Sequence, residues 1–69
     1  MDKNLLKGEI RAKAMSQADV ADKIGISLSR FNAKLNGTNG AEFTLSEVIA
    51  IKQVLNLTFD KTDSIFFKQ

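Results

Sequence analysis

Apolar residues return along the chain at three- and four-residue intervals, the spacing of a helix that buries one face. Leu6 and Ile10 stand one turn apart, Val20, Ala21 and Ile24 share a face, and Phe31 and Leu35 share another. Leu45, Val48, Ile51 and Leu55 form the longest stripe. Ile49 and Val54 fall off it; a leaky stripe accounts for them, as does a contact with the last helix or with a partner. Nowhere do apolar and polar residues alternate as a half-buried strand requires. The predicted fold class is all-α, a compact bundle of about five short helices.

Polar residues punctuate that pattern. Ser16, Ser27 and Thr44 each precede an apolar run and are suited to accept the backbone N–H three residues on. Asp19 and Glu47 then reach back to complete capping boxes, and Met15/Val20, Ile26/Phe31 and Phe43/Val48 are placed as hydrophobic staples. Gly25 and Gly37 supply the left-handed residue that closes a helix. The predicted helices are Asn4–Lys13, Gln17–Ile24, Leu28–Asn36 and Leu45–Asn56, with a short fifth within Asp60–Phe66. Gly37 to Glu42 is an irregular loop, and a small edge strand or extended hook at Ile65-Phe66-Phe67 is the alternative for the end of the chain. A chain of 69 residues accommodates one domain, 1–69, with a short tail at 65–69.

Composition narrows the chemistry. With no Cys and no His there is no disulfide, no thiolate or imidazole metal site and no Cys/His nucleophile. The carboxylate pairs Asp19/Asp22 and Asp60/Asp63 sit three apart on helix surface, where capping already explains them, and no glycine-rich phosphate loop appears. The expectation is a non-enzyme without metal, cofactor or small-molecule ligand. No apolar run approaches the roughly 20 residues of a membrane span, and the first residues carry no signal-peptide core, so a cytoplasmic setting is expected.

Charge adds an asymmetry. The total is +2, from 10 Lys+Arg against 8 Asp+Glu. Residues 1–34 hold seven cations (Lys3, Lys7, Arg11, Lys13, Lys23, Arg30, Lys34) and four acids (Asp2, Glu9, Asp19, Asp22), net +3, which leaves −1 for residues 35–69. A polyanion would meet the N-terminal half.

The segment Gln17 to Asn36, QADVADKIGISLSRFNAKLN, joins two helices through Gly25-Ile26-Ser27. A steep crossing there asks for a small residue at the contact (Ala21), a turn glycine (Gly25) and apolar plugs at Val20, Ile24, Ile26 and Phe31. Together with the trailing Phe31-Asn32-Ala33-Lys34-Leu35-Asn36-Gly37, the segment resembles the helix-turn-helix of the lambda repressor and Cro proteins, the Xre-like family. Glu42-Phe43-Thr44-Leu45-Ser46-Glu47 and Ile65-Phe66-Phe67 look like small switch regulators of temperate phages of Gram-positive bacteria. The resemblance covers nearly the whole chain. It implies a transcriptional regulator of a lysogeny switch, working in the host cytoplasm, with the third helix in the major groove of double-stranded operator DNA. Carried over by position, Leu28, Ser29, Asn32 and Ala33 would face bases, and Ser16, Gln17, Arg30, Lys34, Asn36, Thr38 and Asn39 would face phosphates. A homodimer on DNA is implied as well, because half-sites repeat with the turn of the helix.

This sequence departs from many relatives in two ways. Leu28 and Ala33 stand where Gln, Arg or Lys is common, and Phe31 and Leu35 are spaced by four where three is common, which sets Lys34 outside the core. A mild charge, an apolar recognition face and the apolar tail Ile65, Phe66, Phe67 equally suit an antirepressor that binds the phage repressor protein, the tail then serving as a partner or dimer seam. An antitoxin role rests on fold analogy alone.

Overall fold

The computed structural model describes residues 1–68, so Gln69 of the expected tail lies outside the described residues. Five α-helices follow one another: α1 Lys3–Ala12, α2 Gln17–Ile24, α3 Leu28–Asn36, α4 Leu45–Val54 and α5 Phe59–Phe66. A single 3₁₀ turn, Thr38–Gly40, interrupts the loop after α3, and no strand occurs among the described residues. α2 and α3 have the predicted ends. Of the two readings for the end of the chain the helix holds, not the hook: Ile65 and Phe66 form the last turn of α5, and the Phe67 N–H closes it on the Asp63 carbonyl.

Every helix starts on a side-chain cap. Ser16 and Thr44 form full capping boxes with Asp19 and Glu47, and Ser27 accepts the Arg30 N–H at 3.1 Å. Two further caps move the predicted starts. The Asp2 carboxylate accepts the Leu5 N–H, so α1 begins at Lys3, and Thr58 accepts the Lys61 N–H, so α5 begins at Phe59. The Asp2 N–H donates to the Ile65 carbonyl at 2.7 Å, which ties the start of α1 to the end of α5.

Three helices end in one hydrogen-bonded device. At the end of α2 the Ile26 N–H bonds the Ala21 carbonyl and the Gly25 N–H bonds Asp22, with Gly25 at φ 83°. Met15 on Ile10 with Ala14 on Arg11 repeats it after α1, and Leu57 on Lys52 with Asn56 on Gln53 repeats it after α4. Each device also turns an apolar residue inward, and Leu57 is buried for this reason. It shortens α4, expected to run to Asn56, and α1, expected to run to Lys13.

One core draws on all five helices: Leu6 and Ile10, Val20 and Ala21, Phe31 and Leu35, Ile51 with Leu55, and Ile65. Ile24, Ile26, Met15, Val54 and Phe43 pack around it, half-buried. Leu45 does not belong to the buried stripe, being 67% exposed. Each three-residue step falls short of the 3.6-residue turn, so two steps from Ile51 carry Leu45 well round the helix. There it lines up with exposed Ile49, four residues on. Phe43 sits edge-on to Phe31, ring centroids 5.3 Å apart, and to Phe66 at 6.2 Å, so the irregular loop is pinned by an aromatic contact on each side.

The left-handed residues that close α1 and α2 differ, Ala14 against Gly25, and this sets a stability test. Ala14 stands at φ 57°, which costs an L-residue with a Cβ about 1 kcal/mol. Ala14→Gly is expected to raise the unfolding free energy by about 1 kcal/mol, a rise in Tm of about 4–8 °C. Gly25→Ala is expected to lower it by a similar amount, since no atom lies within 4 Å of the added Cβ and only the backbone conformation is penalised. Thermal and urea unfolding of the two variants beside the parent chain measure both signs.

Candidate nucleic-acid interface

The surface built around α3 starts from its spacing. Phe31 and Leu35 point into the core, so Leu28 with Asn32, and Ser29 with Ala33, stack one turn apart on a neighbouring face that ends at Asn36. Leu28 is 43% exposed, Ser29 and Asn36 are exposed, and Asn32 and Ala33 are half-buried. The four residues expected to face bases therefore share one side of one helix. Arg30 is exposed at the border of that side, next to Ala33 three residues on and two positions from both Leu28 and Asn32.

At the start of α2 the geometry is partly taken up. The Ser16 hydroxyl accepts the Asp19 N–H at 3.0 Å, and the Asp19 carboxylate accepts the Ser16 N–H at 2.8 Å. The Ser16 backbone N–H, followed by the Ser16 side chain, holds the Asp19 carboxyl below its ordinary range, against an opposing effect of burial and with help from the Lys23 charge. The amides of Gln17 and Ala18 remain at the tip, where the helix dipole favours an anion. Gln17 shares an open hollow with Lys7, Ile10, Arg11 and Met15, so two α1 cations stand beside that tip.

The other end of the surface lies after α3. Gly37 closes the helix at φ 70°, and Thr38–Gly40 turn once before the chain rises to α4. Asn36, Thr38 and Asn39 are all exposed there, and Asn39 is itself left-handed at φ 52°. The Lys3 ammonium donates to the Asn36 amide oxygen at 3.4 Å, which brings the start of α1 to this corner.

Two expected assignments are corrected. Lys34 is not a free cation on α3: its ammonium donates to both oxygens of Glu47 at 2.7 Å, and the two side chains keep only 13% and 14% of their surface exposed. The four-residue spacing of Phe31 and Leu35 turns Lys34 toward α4 and away from the Ser29–Ala33 face. Nor is Ile65 part of an exposed seam, because it is fully buried in the core. Phe66 is half-buried against Phe43, and only Phe67, 59% exposed, stands clear.

Other residues gain importance. Lys3, Lys7 and Arg11 recur every four residues and so form one basic stripe along α1, which the net-charge count did not resolve. One end of the stripe touches Asn36 and the other borders Gln17, so it runs along the edge of the α2–α3 surface. Glu9, on the opposite flank of α1, pairs with Lys61 of α5 at 3.2 Å. Among the described residues ion pairs engage Lys34, Lys61 and Lys68, and Lys3, Lys7, Arg11, Lys13, Lys23 and Arg30 have no carboxylate within 4 Å. The sequence carries a further signal: between Asp22 and Glu42 there is no acidic residue at all.

Among the described residues no group of carboxylates could hold a metal ion, and no helix is long and apolar enough to cross a membrane. No protein-family model, curated protein or solved structure matches the chain.

The Lys34–Glu47 pair predicts the acid response. Burial pushes the Glu47 carboxyl up, but the Lys34 hydrogen bonds, the Thr44 N–H and the Lys34 charge outweigh it and hold the group below its ordinary value. A carboxyl depressed by folding adds stability above its unfolded pKa of about 4.3, and that stability is lost as pH falls through the lower folded value. Asp19 acts in the same direction. Unfolding free energy is expected to fall between about pH 5 and pH 3 in the parent, and more gently in Glu47→Gln. At pH 7 Glu47→Gln is expected to cost about 3 kcal/mol, since Lys34 is left poorly solvated and unpaired. Urea titrations across that pH range check both.

Proposed function

We propose that this chain is a small helix-turn-helix transcriptional regulator that binds double-stranded operator DNA with α3 in the major groove. The observation that carries the reading is a stretch of chain without a carboxylate, from the end of α2 through α3 to the 3₁₀ turn, bordered by the unpaired stripe Lys3, Lys7 and Arg11 and by Glu42 at its far corner. A groove reader needs two things on one surface: side chains for base edges and cations or amides for the phosphates on either side. Leu28, Ser29, Asn32 and Ala33 supply the first. The Gln17 tip with Lys7 and Arg11 supplies one phosphate seat, and Asn36, Thr38 and Asn39 with Lys3 supply another beyond the far end of α3. Arg30 adds a cation beside the helix, while Lys34 serves as a structural tie between α3 and α4.

The resemblance to lambda-type switch regulators favours a phage lysogeny switch in a bacterial cytoplasm as the setting. A second reading has its own observation. Leu45 and Ile49 form an exposed apolar pair on α4, and Phe59 and Phe67 are 79% and 59% exposed, all outside α3. Such residues suit a protein partner, either a second copy in a dimer on DNA or the phage repressor that an antirepressor would bind.

Affinity for an operator duplex is expected to fall steeply with salt, with a log–log slope of about −0.9 for each phosphate neutralised. Arg11→Ala should weaken operator and unrelated duplex alike and reduce the slope by about 1, because an exposed stripe cation meets backbone and not bases. Fluorescence anisotropy over a salt series measures this. Binding that ignores salt, or none to any duplex, while the chain co-purifies with a larger repressor, would transfer the function to the second reading.

A further inference from the structure

We infer that the half-site read by α3 is rich in A·T pairs, recognised chiefly through thymine methyl groups by Leu28 and Ala33 and through adenine by Asn32. The inference rests on the DNA-binding reading above and goes further, naming the class of sequence.

It follows from which donors and acceptors the face lacks. Guanine offers two acceptors, N7 and O6, in the major groove and is read best by the paired donors of Arg or by Lys. α3 carries two cations, and neither stands in the Leu28–Asn32 row: Lys34 is held by Glu47 at 2.7 Å, and Arg30 sits two positions from Leu28 and Asn32, at the border of the face beside Ala33. Cytosine offers the N4 amino group, read by a carboxylate, and α3 has none. Asn36, at the far end of the face, takes the Lys3 ammonium at 3.4 Å, and what remains is one amide, one hydroxyl and two alkyl groups. Asn32 has the donor and acceptor that adenine N7 and N6 require together. Leu28, 43% exposed at the first position of α3, is an apolar side chain held partly in water with only the Ser27 cap before it. Covering a thymine C5-methyl would bury both apolar surfaces, which is favourable in proportion to the area removed from water. Ala33, one turn beyond Ser29, presents a methyl farther along the same helix, toward the next base pairs. Ser29 can bond any base and adds little preference.

The test uses the full chain and a random-sequence duplex library. Selected sites are expected to share a half-site of A·T pairs, and replacing a contacted thymine by deoxyuridine should weaken binding by about fourfold per methyl removed. Leu28→Ala should abolish the deoxyuridine effect at one position and leave it at the other. Leu28→Arg, which keeps a long exposed side chain and adds a guanidinium able to donate two parallel bonds, should shift the preferred pair at that position to G·C. Selection of a half-site with G·C at the contacted steps, or deoxyuridine duplexes that bind as well as thymine ones, would overturn the inference and leave the DNA-binding reading intact. No enrichment from the library, with no salt-dependent binding to any duplex, would overturn both.

Discussion

Everything on the α3 surface depends on how closely α2 sits against its neighbours. α2 is short and yet packs on α1, α3 and α4 together. It does so through Val20 and Ala21, both buried, and the small Ala21 side chain is the kind a close crossing requires. The Ala21 carbonyl also accepts the Ile26 N–H at 3.0 Å, which bends the chain straight out of α2 and into α3. One residue thus fixes a contact and a turn. The direction of α3, and with it the side chains it offers, follows from that pair of constraints.

The capping and pairing chemistry then decides which charges are left over. Asp2, Asp19 and Glu47 are bound to helix starts, and Glu9, Glu47 and Asp63 take up Lys61, Lys34 and Lys68. Five of the eight acids are engaged near helix ends and around α5, and among the described residues Lys3, Lys7, Arg11, Lys13, Lys23 and Arg30 keep no ion-pair partner. α1 works as a divider: its Lys3-Lys7-Arg11 flank borders α2 and α3, and its Glu9 flank meets α5. A net charge of only +2 therefore coexists with one strongly polarised face, because repulsion among fixed charges is a local matter that screening confines to about 8 Å.

The aromatic residues explain why the loop before α4 holds its place. Phe31 in the core, Phe43 in the loop and Phe66 on α5 form successive edge-on pairs, and Phe67 continues the run to the surface at 6.4 Å. The loop is irregular in backbone but anchored by rings, and the Lys34–Glu47 pair clamps its far side. This is how Asn36, Thr38 and Asn39 come to be presented at a defined corner in a stretch without regular structure.

Sequence alone determined the elements and most of the core. Helix starts at Ser16, Ser27 and Thr44, the Gly25 and Gly37 closures and the placement of Phe31 and Leu35 were legible because capping, left-handed closure and periodicity are local, acting within four or five residues. The surface of α3 was legible for the same reason, since side chains four apart share a face. Tertiary structure decided the rest. That Lys34 pairs with Glu47, that Ile65 is core and not seam, and that Lys3 reaches Asn36 are all contacts between residues far apart in the chain. The short local pattern at Leu45 misled by its three-residue steps, which only the packed helix reveals as a drift off the core. Partners over long separations depend on how the helices stack, and that stacking is set by the whole core at once.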